Sequence, residues 1–253
     1  MRSDRVPARD KQEKLLRVAG LHAVEALFAS APQRIERLFF GKELRLPLAE
    51  CCRALAAARK PFREVGKEEL ARVAGTVLHG GVVAVARPAP IARLDVSRAA
   101  VWARDGKLLL LIDGIGNPHN LGAIARTAAF FGLPRLVLSN HPAQALPSDA
   151  SYRVAEGGLD RIDIYRSQNF VRDLEGLRPS YLVLGAAAEG GLAPARFGRA
   201  GRALALVLGN EEHGFPSATA HACQALVTIA RTGAVQSLNV AATAAILIHA
   251  LGT

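Results

Sequence analysis

The chain has 253 residues, of which 50% are hydrophobic and 21% are charged, and its formal net charge is +10. That length can bury one large core or two smaller ones and favours about two domains. No apolar run reaches the roughly 18 residues that a membrane-spanning helix needs, and the charged start has no signal-peptide core. The three cysteines form no CxxC pair, which is typical of free thiols in a reduced compartment. We therefore predict a cytoplasmic protein without a membrane segment.

The positive charge is concentrated in the first part of the chain. Residues 1–107 contain 21 Lys and Arg against 12 Asp and Glu, whereas residues 108–253 contain 11 against 10. A basic part joined to a nearly neutral part suggests a polyanion-binding region beside a separate working domain. A basic surface kept for solubility explains the same charge equally well, so composition leaves both interpretations open.

The first part of the chain predicts a small α/β domain behind a flexible tail. Residues 1–14 are charged and aperiodic, and we predict that they form the tail. Short helical and extended patterns then alternate over residues 15–88, as in a compact α/β domain. Helices are predicted at 18–29, 48–59 and 67–73, and strands at 35–40, 62–65 and 82–86. Prolines then break the pattern, and 89–106 is predicted to be a linker.

Residues 107–253 predict an open, doubly wound α/β sheet. Their first apolar run, 108–112, is typical of a strand buried on both faces of a parallel sheet. Further strands are predicted at 136–138, 161–164, 181–185, 203–208 and 226–229. Helices are predicted at 121–131, 151–157, 168–175, 217–224 and 239–251.

The first motif, residues 111–128, joins a strand, a glycine-rich turn and a helix. Gly114 and Gly116 supply two glycines of the GxGxxG dinucleotide fingerprint, but the third position is a histidine, so the fingerprint fails. Asn120 lies where an N-cap residue is expected, and Arg126 points away from the apolar side of the helix. For this helix by itself, a capping Asn120 and a solvent-exposed Arg126 are the simpler explanation.

The second motif, residues 206–216, is a buried strand followed by a polar loop between two glycines. Glu211 lies in that loop, directly after Gly209 and Asn210. Loops at the carboxyl ends of parallel strands are where α/β sheets bind ligands. In isolation the same segment is also an ordinary acidic turn.

The third motif, residues 227–240, is a strand, a loop of about eight residues and the start of an almost wholly apolar helix. Ser237 and Asn239 are its polar groups next to that helix, and an N-cap is their ordinary role. A helix that is apolar nearly all round is buried on several sides, either within its domain or against a second subunit.

In this order, the three motifs resemble those of the SpoU/TrmH branch of the SPOUT superfamily. Its members are S-adenosylmethionine-dependent RNA ribose 2′-O-methyltransferases. The resemblance covers residues 108–253, and more weakly residues 18–88, where Gly20-Leu21-His22-Ala23-Val24 and His79-Gly80-Gly81-Val82-Val83-Ala84 resemble the family's small RNA-binding domain. One departure is Ala230-Arg231, where the family usually has proline followed by a small or apolar residue. This position lies in the implied cofactor loop, so the departure bears on the shape of that loop and on its affinity for the cofactor.

The resemblance implies an α/β fold in which a trefoil-knotted methyltransferase domain follows a small α/β RNA-binding domain. It also implies a homodimer whose active sites use both chains, with rRNA or tRNA as the substrate. S-adenosylmethionine is the implied cofactor, held mainly by the backbone around Leu208, Gly209, Ile229 and Leu238. The implied catalytic residues are Asn120, Arg126, Glu211, Ser237 and Asn239.

The sequence leaves two other functions open. One is an RNA-binding or ribosome-assembly protein that retains the fold without methyl transfer, and the other is a dinucleotide-dependent dehydrogenase. The chain lacks two features of such a dehydrogenase, namely the third glycine and an acidic residue after the next strand that could bind a ribose. No HExxH pattern or Cys/His cluster with ligand spacing occurs, so no metal site is predicted.

Overall fold

The structure is a computed structural model that describes residues 14–197, 201–210 and 213–252. It contains a four-stranded sheet in the first part of the chain and a seven-stranded sheet in the second. Nearly all of the predicted tail, residues 1–13, lies outside the described residues, and so does Glu211.

The smaller sheet has the strand order β1-β4-β2-β3. Strand β4 runs antiparallel to both of its neighbours, and β3 runs parallel to β2. The strands are β1 (Leu16–Ala19), β2 (Ile35–Phe40), β3 (Phe62–Glu64) and β4 (Val82–Ala86), and the helices are α1 (Leu21–Ser30), α2 (Ala49–Ala57) and α3 (Lys67–Ala74).

The helix predicted over 18–29 is wrong at its beginning. Val18 and Ala19 belong to β1, where Val18 is fully buried and pairs with Ala84 of β4. Gly20, with a φ of 99°, separates the strand from α1. Pairing with a distant strand therefore decides the conformation of these residues, and local periodicity does not show it.

The segment 89–106, predicted to be a linker, contains a strand and a helix that belong to the larger sheet. Strand β5 (Ala92–Arg93) forms the edge of that sheet. Helix α4 (Val96–Trp102) begins at Asp95, whose carboxylate accepts hydrogen bonds from the backbone N–H groups of the next turn. The segment is thus not an irregular connection, while the limits of the two domains stay a prediction.

The larger sheet is parallel throughout and has the order β11-β9-β10-β6-β7-β8-β5. Its other strands are β6 (Leu109–Ile112), β7 (Arg135–Leu138), β8 (Asp163–Arg166), β9 (Tyr181–Ala186), β10 (Ala203–Leu208) and β11 (Ala225–Val227). Its other helices are α5 (Pro118–Phe130), α6 (Asp149–Ala155), α7 (Phe170–Leu177), α8 (Ser217–Ala222) and α9 (Val240–Gly252). The predicted α/β fold is confirmed, although β8 lies two residues later than predicted.

The last helix, α9, is buried along one side only. Val240, Ala244, Leu247, Ile248 and Leu251 belong to the hydrophobic core, and the helix packs against α5. Ile246 on the opposite side is 42% exposed. Within the described ranges, no helix is long and apolar enough to cross a membrane.

Candidate active site

A cavity of about 810 Å³ lies at the carboxyl ends of strands β9, β10 and β11. Loops of the second and third motifs form most of its wall, together with the chain after β9 and the first turns of α9. Its volume is within the range that small-molecule and cofactor sites occupy. The lining residues are 186–189, 209–210, 214–215, 227, 229–233, 235–238, 240, 243 and 247.

The loop after β10 approaches its own backbone at Gly209. A Cβ atom at this position would lie 2.6 Å from Gly214 C and 2.7 Å from Phe215 N. Two backbone hydrogen bonds close the loop, from Asn210 N to Gly214 O at 2.9 Å and from Gly214 N to Asn210 O at 2.8 Å. A side chain at residue 209 would displace this backbone, so the wall of the cavity depends on the glycine.

Three of the four predicted cofactor residues line the cavity, namely Gly209, Ile229 and Leu238. The fourth, Leu208, is fully buried behind the wall, and its carbonyl accepts a hydrogen bond from Asp113 N at 2.9 Å. Leu208 thus joins the second motif to the end of β6, where the first motif begins.

An ion pair joins two of the loops that form the cavity. Arg231 Nη2 lies 3.0 Å from Glu189 Oε1, and both residues line the cavity. Arg231 Nη1 also donates to the carbonyl of Gln236 at 3.5 Å. The unusual arginine of the third motif therefore connects the loop after β9 with the loop before α9.

Asn120 is not the N-cap of α5, so that prediction is wrong. Asn117 caps the helix by accepting a hydrogen bond from His119 N at 2.9 Å, and Pro118 is the first helical residue, where its missing N–H is tolerated. Asn120 therefore lies inside the first turn and is 94% buried, its Oδ1 accepting a hydrogen bond from Asn239 Nδ2 at 3.2 Å.

Ser237 and Asn239 lie next to the cavity in the third motif. Ser237 lines the cavity, and Asn239 lies between two residues that do so, Leu238 and Val240. The Oδ1 atom of Asn239 accepts a hydrogen bond from Ala241 N at 2.8 Å, as an N-cap of α9 would. Asn239 thus both caps α9 and contacts the first motif.

Arg126 points away from the cavity of its own chain. It follows Asn120 by six residues, so the two side chains leave the helix about 120° apart. Its side chain is 56% exposed, and Nη2 lies 2.9 Å from Glu156 Oε2. One chain therefore brings together Asn120, Ser237 and Asn239, while Arg126 lies on another face of α5.

A buried pair that the sequence analysis missed supports the same region. Thr219 Oγ1 donates a 2.7 Å hydrogen bond to Asp113 Oδ2 and so ties the end of β6 to α8, the helix after the second motif. Asp113 is almost fully buried. The sequence did contain a signal for this pair, since Asp113 directly follows a buried strand and a buried carboxylate needs a hydrogen-bond partner.

The described residues contain no group of three or more His, Cys, Asp and Glu side chains placed to hold a metal ion. The polar groups at the cavity are mainly amides, hydroxyls and main-chain groups, which bind and orient a ligand by hydrogen bonds.

Comparison with protein families assigns both parts of the chain. A family model described as the SpoU rRNA Methylase family matches residues 107–249, which is more than half of the chain. The chain belongs to the SpoU rRNA methylase family. A second model, described as RNA 2′-O ribose methyltransferase substrate binding, matches residues 17–92.

Curated proteins of the same kind align with most of this chain. RlmB of Acinetobacter baylyi, a 23S rRNA (guanosine-2′-O-)-methyltransferase, is 29% identical over 91% of this chain and 94% of its own length. YfiF of Escherichia coli O157:H7, an uncharacterized tRNA/rRNA methyltransferase, is 32% identical over 92% of this chain and 66% of its own length.

Solved structures show the same fold. The SpoU methyltransferase AviRb from Streptomyces viridochromogenes, in complex with the cofactor AdoMet, has a TM-score of 0.73 at 22% identity and covers 94% of this chain and 89% of its own. An rRNA methyltransferase from Sinorhizobium meliloti has a TM-score of 0.76 at 20% identity and covers 95% and 87%.

Membership of the SpoU family confirms the predicted activity. The protein is an RNA 2′-O-ribose methyltransferase that uses S-adenosylmethionine. It also confirms the combination of a methyltransferase domain with a substrate-binding domain ahead of it, and it favours this enzyme over the dehydrogenase.

Proposed function

We propose that the protein methylates the ribose 2′-hydroxyl of a guanosine in large-subunit ribosomal RNA. The main support is the cavity formed by the second and third motifs, with the Asn120–Asn239 pair beside it. The choice of RNA and base follows the RlmB relatives, which align with this chain over nearly their full length. Since those relatives are bacterial, we place the reaction in the cytoplasm.

The cavity fits S-adenosylmethionine in size and in chemistry. Small or aliphatic residues form most of its lining, and at Gly209 no side chain occupies the wall. Gly209, Ile229 and Leu238 would hold the cofactor, with Leu208 packed behind them. When bound, the cofactor supplies a methyl group on a sulfonium, which an oxygen nucleophile can displace in line.

The asparagine pair and Ser237 position the ribose. In-line displacement requires the 2′-oxygen to be aligned with the methyl group, and hydrogen bonds from fixed side chains achieve this alignment. Asn120 is buried and held by Asn239, which α9 fixes through its capping bond. We assign Glu211 a similar role, as the residue that orients the ribose or the loop of the second motif.

Arg126 binds the phosphate of the target nucleotide and stabilises the charge that develops on the 2′-oxygen. A guanidinium stays protonated in proteins, so it does not act as the base. The proton leaves through a neighbouring group or water. Because Arg126 and Glu156 are both about half exposed, a phosphate can replace the carboxylate as the partner of Arg126.

The active protein is a homodimer. Arg126 lies on a face of α5 that does not line the cavity of its own chain, so a second copy is needed to bring it there. An apolar patch suits that contact, with Phe130 83% and Ile246 42% exposed. Phe131 packs edge-on against Phe130 and lies 5.7 Å from the ring of His249, which follows Ile246 by three residues on α9. Exposed apolar side chains of this kind are typical of a protein–protein interaction surface.

The first domain binds RNA through the excess of Lys and Arg in residues 1–107. We also propose that α9 passes through an earlier loop to form a trefoil knot. The cavity supports this, since its wall combines the loops after β9, β10 and β11 with residues of α9.

Mass spectrometry of nucleosides tests the function directly. The protein is incubated with S-adenosylmethionine and either unmodified rRNA or a tRNA pool. We expect 2′-O-methylguanosine in rRNA only, and its loss in Asn120→Ala. Product in tRNA would replace the proposed substrate, and another methylated nucleoside would replace guanosine. For the dimer, Phe130→Glu should yield a monomer in analytical ultracentrifugation together with loss of turnover.

A further inference from the structure

The amino-terminal domain is joined to the methyltransferase domain by buried contacts at the end of α6. Gly157, with a φ of 89°, follows that helix, and a Cβ atom there would lie 2.7 Å from Ala26 Cβ and 3.0 Å from His22 O. Helix α1 therefore lies directly on the chain at residue 157. The next residues, Gly158–Asp160, form a single 3₁₀ turn.

A buried arginine of the amino-terminal domain binds this turn. Arg34 Nη1 donates to Asp160 Oδ1 at 2.7 Å, and Nη2 donates to Tyr152 Oη at 3.0 Å. Arg34 Nε donates to the carbonyl of Arg87 at 2.9 Å, which places the guanidinium between β4 and the turn. The side chains of Arg34 and Asp160 are 11% and 1% exposed, so this ion pair is buried and is not a surface pair. Together, Arg34, Tyr152 and Asp160 form a buried joint between the two domains.

The same turn packs against Arg126 on its other side. A Cβ atom at Gly158 would lie 2.8 Å from Arg126 Cα and 3.0 Å from Ala125 O. Glu156, the partner of the Arg126 guanidinium, has a left-handed backbone with a φ of 45°, which is unusual outside glycine. Residues 156–160 therefore contact Arg126 at positions 156 and 158, and the amino-terminal domain at positions 157 and 160.

We propose that Arg34, Tyr152 and Asp160 are positioning residues for the reaction, because they fix Arg126 relative to the RNA-binding domain through residues 156–160. An RNA held by that domain then meets Arg126 of the same chain in a fixed geometry. The inference rests on the proposed function, in which Arg126 acts on the RNA. It predicts that weakening the joint slows methyl transfer without weakening the binding of RNA or of the cofactor.

The test compares two substitutions of the same kind. Asp160→Asn weakens the buried joint, whereas Asp149→Asn removes the charge from an exposed contact between the same domains, in which Asp149 pairs with Arg17 at 3.3 Å. For each folded variant we would measure the dissociation constants of rRNA and S-adenosylhomocysteine and the rate of a single turnover with both substrates saturating. Asp160→Asn should lower the rate about tenfold, because small displacements of a catalytic group are costly. The two dissociation constants of Asp160→Asn should stay within about twofold of wild type. For Asp149→Asn, the rate and both dissociation constants should stay within the same limit.

A double-mutant cycle with Arg126→Lys separates positioning from a general structural defect. If Asp160 acts through Arg126, Asp160→Asn should change the rate less than about twofold in the Arg126→Lys background. Equal losses in both backgrounds would overturn the proposal, and so would a loss confined to RNA affinity. Should Asp160→Asn fail to fold, Tyr152→Phe deletes one bond of the joint and takes its place in the same cycle. A wild-type protein that methylates no RNA would instead refute the proposed function.

Discussion

Asn239 Nδ2 donates a 3.2 Å hydrogen bond to Asn120 Oδ1, although 119 residues separate the two in the chain. The other end of the same amide accepts a hydrogen bond from Ala241 N and caps α9. One side chain therefore stabilises the last helix and links the third motif to the first. Because the two bonds use different atoms of the amide, a substitution can remove the bond to Asn120 and keep the cap of α9.

Asn239→Asp should keep the protein stable and reduce its activity. The aspartate still accepts the bond from Ala241 N, and its negative charge is favourable at the beginning of a helix. It has no N–H to donate to Asn120, so we expect the single-turnover rate to fall at least about tenfold. Asn239→Ala should lose both bonds and lower the free energy of unfolding by about 1 kcal/mol. Calorimetry and rapid-quench kinetics measure the two effects, and a wild-type rate in Asn239→Asp would show that the bond to Asn120 is dispensable.

Two glycines of the cavity wall should respond differently to alanine. A Cβ atom at Gly209 would meet the backbone of Gly214 at 2.6 Å, whereas at Gly233 no atom lies within 4 Å. Gly209→Ala should therefore weaken the binding of S-adenosylhomocysteine at least about tenfold, and Gly233→Ala should change it less than about twofold. Isothermal titration calorimetry measures both variants. Equal affinities in the two would mean that the loop of the second motif does not shape the cofactor site.

The Arg231–Glu189 ion pair should have a small, salt-dependent effect on cofactor affinity. Its side chains are 44% and 75% exposed, so water and salt screen the pair. We expect Arg231→Met and Glu189→Gln each to change the cofactor dissociation constant by up to about fivefold, and the double variant to change it no further. Titrations at low and high salt test this. Additive effects would show that each residue contacts the cofactor independently.

The thiols should react slowly and make stability fall at alkaline pH. Burial raises the pKa of Cys51 to about 11 and that of Cys223 to about 12, from an ordinary value of 9.0. The folded state therefore disfavours the thiolates, and this contribution to stability is complete below the ordinary pKa and is lost as the pH rises through the folded values. Urea unfolding between about pH 8 and 10.5 should show the decline, less steeply in Cys223→Ala.

At pH 8, native Cys223 should react with a thiol reagent far more slowly than the unfolded chain, and equal rates would contradict its burial.

Much of the fold and of the site could be predicted because their signals are local. The run at 108–112 is apolar on every residue, as a strand covered on both faces must be, and its residues 109–112 form β6. The resemblance of the three motifs to the SpoU/TrmH branch likewise indicated Gly209, Ile229, Ser237 and Leu238, all of which line the cavity. The RNA, the role of each catalytic residue, the knot and the dimer stay predictions.

Tertiary structure decided what depends on residues far apart in the chain. Val18 is in a strand because β4 offers it hydrogen bonds, and Asn120 is buried because Asn117 and Pro118 begin the helix three residues earlier than expected. The partner of Arg126 is Glu156, and the partner of Arg34 is Asp160, 126 residues away. Periodicity records which side of an element is apolar, but a buried polar group is matched to its partner only when the elements pack.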